Sequence, residues 1–129
     1  MSELSDKALL CRELDAKPLM ENDELALIYF QSERLTFATS VLPPGTRTNV
    51  DPGHPGAHEV AYCVRGEAVI ELGQGEAEFV RLMAGDAVLI KEGIAHTAFN
   101  PGREQAQIVW AIAPSLGRPL VYEPTGLPG

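Results

Sequence analysis

Apolar and polar positions alternate in short runs along most of this chain. Leu25 to Phe30 and Leu35 to Leu42 carry β-branched, aromatic and aliphatic residues. The polar Gln31-Ser32-Glu33-Arg34 separates them, so the pattern predicts two strands and a turn. Glu59 to Val64 and Ala68 to Leu72 predict a hairpin about Arg65-Gly66-Glu67. Glu78 to Leu82, Ala87 to Lys91, His96 to Phe99 and Gln107 to Ala113 follow as further strands, divided by Gly85-Asp86, Glu92-Gly93 and Asn100-Pro101-Gly102. Short strands punctuated by Gly and Pro at this spacing predict an all-β sandwich or barrel rather than a βαβ protein. No amphipathic helical pattern interrupts them.

Three segments depart from the alternation. Residues 1–24 mix charges with a weak helical or extended pattern and predict an N-terminal arm. Between Thr46 and Ala57, Asp51-Pro52-Gly53 and Pro55-Gly56 predict loop rather than ladder, with His54 held on a rigid turn. The tail, 114–129, is rich in Pro and Gly and predicts an extended strap or a loose end. A length of 129 residues fits one domain, 1–129, with its core in residues 42–113 and no need of disulfides for stability.

The formal charge is -8, and the ten Lys and Arg are scattered singly, which excludes a patch that tracks phosphates. Nucleic acid is therefore not an expected partner. No apolar run approaches the roughly 18 residues of a membrane span, so no membrane partner is expected. Residues 1–6 lack the basic start and apolar block of a signal peptide. Cys11 and Cys63 are too few and too isolated for a disulfide framework, and a cytoplasmic location is the expectation. Cys63 belongs to the apolar run Val60 to Val64 and is expected as a small buried residue. It shares a strand face with Glu59, but four residues of strand put it about 13 Å away, too far to share a ligand.

The chain's chemistry gathers at His54-Pro55-Gly56-Ala57-His58-Glu59 and at His96. Two imidazoles and a carboxylate, His54, Glu59 and His96, suit a divalent metal (Fe, Mn, Zn or Ni) and leave coordination positions open. Such a three-ligand site keeps a net positive charge, near +1 by formal counting, and could bind a carboxylate, an enolate or a vicinal oxygen pair.

These residues resemble the cupins, small jelly-roll barrels with two characteristic motifs. In the first, His54 stands at the second position of His-X-His, with Glu59 after four residues and Gly66 after six more. In the second, Gly85, Gly93, His96 and Asn100 stand at the family spacing, with Lys91 where proline is usual. The resemblance covers roughly residues 42–113 and implies a double-stranded β-helix. Two departures accompany it: Pro52 replaces the first histidine, and Gly45 lies one residue further from the histidine position than usual. Pro52 cannot ligate, so the family's three histidines and a glutamate fall to His54, Glu59 and His96. Asp51 and His58 are the candidates for an additional ligand or base. His58 adjoins Glu59 and points to the opposite face if the strand has begun there. Asp51, before Pro-Gly, is an ordinary turn starter. His58 or Glu67 is a general base only if the fold brings it within hydrogen-bond reach.

Gly66, Gly85 and Gly93 are expected at turns with positive φ, Asn100 closing a turn before Pro101, and Phe37, Phe99 and Trp110 in core packing, with one or two of the three lining the barrel mouth. The resemblance implies a small-molecule ligand inside the barrel. Two functions follow from it: a metal-dependent oxygenase or isomerase acting on a small carboxylate or sugar-like substrate, or a non-catalytic module binding a sugar or carboxylate with a degenerate metal site. Single-domain cupins are commonly dimers, and the apolar run Leu25 to Phe30 is the expected strand for pairing across a two-fold axis in a homodimer.

Overall fold

The computed structural model describes residues 2–114, with side chains from Asp6 onward. The chain forms the strands β1 (Ser2–Ser5), β2 (Ala8–Leu10) and β3 (Lys17–Glu21) in the N-terminal segment, and its alternating runs become β4 (Glu24–Gln31), β5 (Thr36–Leu42), β6 (His58–Arg65), β7 (Glu67–Leu72), β8 (Glu78–Met83), β9 (Ala87–Ile90), β10 (His96–Phe99) and β11 (Ala106–Ala113). A 3-10 turn at Glu13–Asp15 is the sole helical element among the described residues. No helix there is long and apolar enough to cross a membrane. All pairings are antiparallel, in a six-stranded sheet of order β3-β4-β5-β11-β6-β9, a three-stranded sheet of order β10-β7-β8, and a small β1-β2 hairpin.

Strand alternation decides what fills the space between the two larger sheets. In β5, Thr36, Ala38, Ser40 and Leu42 are buried, whereas Phe37, Thr39 and Val41 between them are half-buried. In β6 the buried set is Glu59, Ala61 and Cys63. Register then sorts these inner residues toward two ends. Leu42 lies opposite Ala106, while Thr36 lies opposite Ile112, which also faces Glu59. At the first end Leu42, Cys63, Ile70, Leu82 and Ile108 form the apolar core. At the other end the same strands carry Thr36, Ala38, Glu59, Trp110 and Ile112, which line a cavity of about 350 Å³. One end of the barrel is packed and the other receives solvent or ligand.

Two turns hold the packed end. Gly66 has φ +73, and a Cβ there would stand 2.7 Å from the Gln105 carbonyl oxygen, so no larger residue fits. Asn100 does more than close a turn. Fully buried, it donates to the carbonyls of Leu42 (2.9 Å) and Glu104 (2.7 Å), and its Oδ1 accepts the Gly102 N–H (2.9 Å). Gly85 and Gly93 also have positive φ, as their turns require.

The structure redraws three expectations. The N-terminal arm contains a strand of the large sheet: β3 pairs with β4 through the two-residue turn Asn22-Asp23, with Asn22 at φ 56. Asn and Asp tolerate this backbone because their short polar side chains can bond locally, and that is the missed hairpin signal. Residues 46–51 are not free loop. They run beside β10 in the isolated bridges Arg47↔Phe99 and Asp51↔His96, with Asp51 N–H to His96 O at 2.8 Å and His96 N–H to Asp51 O at 2.9 Å. Finally, β4 pairs on both edges, with β3 and β5, so Leu25 to Phe30 has no free edge for two-fold pairing. The tail beyond residue 114 lies outside the described residues.

Candidate metal centre

Three separate pieces of backbone bring four side chains together beside the cavity, three of which, Asp51, Glu59 and His96, line it. Glu59 points inward from β6, and His96 opens β10. The Asp51↔His96 bridge fixes Asp51 beside His96. His54 follows on the turn begun by Asp51, whose Oδ1 accepts the Gly53 N–H at 2.9 Å. Gly53 has φ +93, and a Cβ on it would lie 2.7 Å from the carbonyl carbon of Gly93. Glycine thus lets the turn bearing His54 press against the turn leading to His96, and the Gly93 N–H reaches the His54 carbonyl at 3.2 Å.

The ligand atoms of Asp51, His54, Glu59 and His96 all lie within 4.8 Å of one another. Glu59 Oε1 is 3.1 Å from His54 Nε2 and 3.0 Å from His96 Nε2. Asp51 Oδ2 is 3.2 Å from His54 Nε2 and 3.8 Å from His96 Nε2. Asp51 therefore uses one oxygen for its turn and turns the other to the cluster, so its turn-starting role and its place in the site coexist. His54, Glu59 and His96 are each no more than 5% exposed. His96 Nδ1 stands 3.0 Å from the Ile94 carbonyl, so in the neutral ring the Nδ1–H donates there and the Nε2 lone pair faces the cluster.

Charge is concentrated here. Burial opposes protonation of His54, yet the carboxylates of Asp51 and Glu59 push it up to about 9. His96 also moves up against its burial, chiefly through Glu59. Burial would raise the carboxyls of Asp51 and Glu59, but the facing imidazoles, with the Gly53 N–H for Asp51, hold both below the usual carboxylate range. Even so, His54 Nδ1, His54 Nε2 and Glu59 Oε1 are buried without a hydrogen bond of acceptable direction. Such orphaned groups are costly, and a cation between Nε2 and Oε1 would satisfy both. The donor set of two imidazoles and two carboxylates fits a divalent transition metal.

The other candidates fall outside this cluster. His58 is exposed at the start of β6, on the face opposite Glu59, because the strand has already begun there. Glu67 is bound to Arg81, with Oε2 2.8 Å from Nε. It also lies five residues along β7 from Leu72, the residue that pairs with His96, roughly 16 Å of strand. Cys63 is fully buried in the apolar core.

Of the aromatics expected in the core or at the barrel mouth, Trp110 lines the cavity, and one further cavity residue, Glu24, escaped sequence reasoning. Trp110 does not simply pack: its ring stacks on His96 with centroids 6.0 Å apart, and its Nε1–H donates to Ser40 Oγ at 2.8 Å. Glu24 lines the cavity from β4, in phase with Ala26 and Ile28. Burial pushes its carboxyl up to about 7, against a hydrogen bond from Ser40 that lowers it, and Glu21, Glu59 and Asp51 repel its charge. Glu24's shared parity with Ala26 and Ile28 was the available signal, an acid on the inward face of an apolar strand.

An antiparallel barrel of two facing sheets, with a His/carboxylate cluster beside the cavity at its open end, defines a class of small β-barrel proteins. The cupin-domain family model matches residues 38–112, and the chain belongs to that family. Among solved structures, it is similar to TT1209 from Thermus thermophilus, with 29% identity over 71% of this chain and 84% of that one and a TM-score of 0.63. KdgF from a Halomonas species matches at 18% identity over 85% and 96% of the two chains, TM-score 0.71. The Fe(II) structure of HppE matches at 15% identity over 87% of this chain and 63% of that one, TM-score 0.74. No curated protein matches.

Proposed function

We propose that this cupin binds one divalent metal through Asp51, His54, Glu59 and His96, and is a metal-dependent enzyme of oxygenase or isomerase type acting on a small organic molecule in the adjoining cavity. The observation that carries this reading is the convergence of four ligand atoms within 4.8 Å, two of them buried orphans that face each other. One protein of the same fold, HppE, carries Fe(II). A metal bound here would supply Lewis acidity and open positions for an oxygen-bearing ligand. The chain's own residues do the rest. Trp110 and Ile112 exclude water from one wall, the Ile94 carbonyl orients His96, and Glu24, with a pKa near neutrality, is poised to hold or give up a proton at the carboxyl group.

The test is calorimetric titration with zinc or iron(II) in buffers of different ionisation enthalpy. His54 is protonated at pH 7 in the metal-free protein, and a ligating imidazole must be neutral. Binding should therefore be stoichiometric, release about one proton or more, and tighten as pH rises toward 9. His54, raised from 6.5 to about 9, stabilises the metal-free fold fully below 6.5 and loses that contribution as pH rises through 9, so stabilisation by metal grows over this window. Metal uptake absent at micromolar concentrations defeats the proposal.

We also propose a homodimer, through a surface other than the strand edge first expected. The outward face of the large sheet presents Leu27, Thr39, Val109 and Tyr62 in one register row, with Val60 and Leu89 paired in the next. Tyr62 and Leu89 are exposed. An exposed, largely apolar sheet face of this kind suits a second copy of the chain. Sedimentation should show a dimer at tens of micromolar that a Tyr62→Glu substitution dissociates; a wild-type monomer contradicts it.

A further inference from the structure

The cavity's charge is unlike that of a site built for acids. Four carboxylates border it, Glu21, Glu24, Asp51 and Glu59, and among the described residues no Lys or Arg lines it. Glu21 is engaged by the Asn49 side-chain N–H at 2.6 Å, and Asp51 and Glu59 face the two histidines. Among the described residues the Ser40 hydroxyl is the side-chain donor to Glu24, and Ser40 is itself held by Trp110. Asp51 also changes the metal end. With a carboxylate in addition to Glu59, the two protein charges cancel those of a divalent ion, and the net positive charge that would draw a carboxylate is gone. The remaining lining, including Leu19, Ile28, Val50, Trp110 and Ile112, is apolar.

We propose that Glu24 is the recognition residue of this cavity, accepting a hydrogen bond from the amine or alcohol end of a small uncharged or cationic molecule whose apolar body rests on the Ile28 and Trp110 wall, and that the cavity turns carboxylates away. This rests on the metal reading only for the neutrality of the cluster end. Glu24 suits the role by position: it stands on β4 in line with Ala26 and Ile28, so a donor at its carboxyl leaves the rest of the molecule over apolar surface. The cost of ionising a half-buried carboxyl without a cationic partner is relieved when a donor arrives. A carboxylate in the same place would instead bring like charge against Glu24 and Glu21 with no Lys or Arg to balance it, the two imidazoles being matched by Asp51 and Glu59.

Benzylamine, benzyl alcohol and benzoate share one apolar body and differ in the head, so they separate these cases. Binding of each is measured by calorimetry at pH 7.5 to the zinc-loaded protein and to the metal-free protein, for wild type and Glu24→Gln. The amine and the alcohol should bind at least tenfold more tightly than benzoate. Glu24→Gln should remove the amine's advantage and improve benzoate about tenfold, with zinc stoichiometry unchanged. Benzoate binding as tightly as the amine, a preference unmoved by Glu24→Gln, or no binding by any member at millimolar concentration overturns the proposal. A protein that takes up no zinc yet keeps the Glu24-dependent preference defeats the metal reading alone; one that takes up zinc and lacks the preference defeats this inference alone.

Discussion

His96→Ala should abolish stoichiometric metal binding, weakening affinity at least about hundredfold while leaving the β-sheet circular dichroism spectrum intact. The size follows from geometry. His96 Nε2 is 3.0 Å from Glu59 Oε1, and its ring is fixed from behind by the Ile94 carbonyl and from the side by Trp110. Loss of an outer-shell partner of a metal ligand already costs on the order of 10 to 100-fold in affinity, and loss of the ligand itself costs more. Alanine keeps the β10 backbone and its pairing with β7, so the fold has no reason to fail with the site. Elemental analysis after dialysis against zinc, with circular dichroism on the same sample, reads both quantities. A variant that retains metal at wild-type affinity would remove His96 from the ligand set.

Asn100→Ala should be the opposite case, a large loss of stability with the cluster untouched. Its side chain serves two buried carbonyls and one N–H, at Leu42, Glu104 and Gly102, where no water reaches to replace it. Buried groups left without partners cost about 1–3 kcal/mol each, and partial relaxation of the 100–105 turn should hold the total to roughly 2–4 kcal/mol. For a chain of this size that lowers the thermal midpoint by roughly 10 °C. Because Leu42 lies at the packed end and the cluster at the open end, zinc should still bind the folded variant. Thermal denaturation followed by circular dichroism checks the expectation; a midpoint within a degree or two of wild type would mean that the turn bonds contribute little.

What could be read from the sequence follows from how local each signal is. Strands such as Thr36–Leu42 and His58–Arg65 announce themselves by period-two burial and by glycines whose positive φ no other residue adopts as cheaply. His54, Glu59 and His96 were legible as a set because their spacings match family motifs, and the fold brings them together. Asp51 was harder. Its Asp-Pro-Gly context spoke for a turn, and only the pairing with His96 shows that the second carboxylate oxygen is left over for the site. β3 was missed because Lys17-Pro18-Leu19-Met20-Glu21 carries little alternation of its own. Its place depends on β4 alongside and on the Asn49 side chain, which bonds Asn22 and Glu21 at the hairpin tip. Glu24 and Trp110 show the same limit: their roles come from Ser40, which joins them across strands far apart in sequence.

The proposed metal centre requires one divalent ion among Asp51, His54, Glu59 and His96. The most direct measurement is an anomalous difference map from crystals grown with zinc, collected on both sides of the zinc absorption edge. A single strong peak is expected at about 2.0–2.2 Å from His54 Nε2, His96 Nε2 and an oxygen each of Glu59 and Asp51. Crystals with no peak at that position, or with zinc only at the exposed His58, would contradict it.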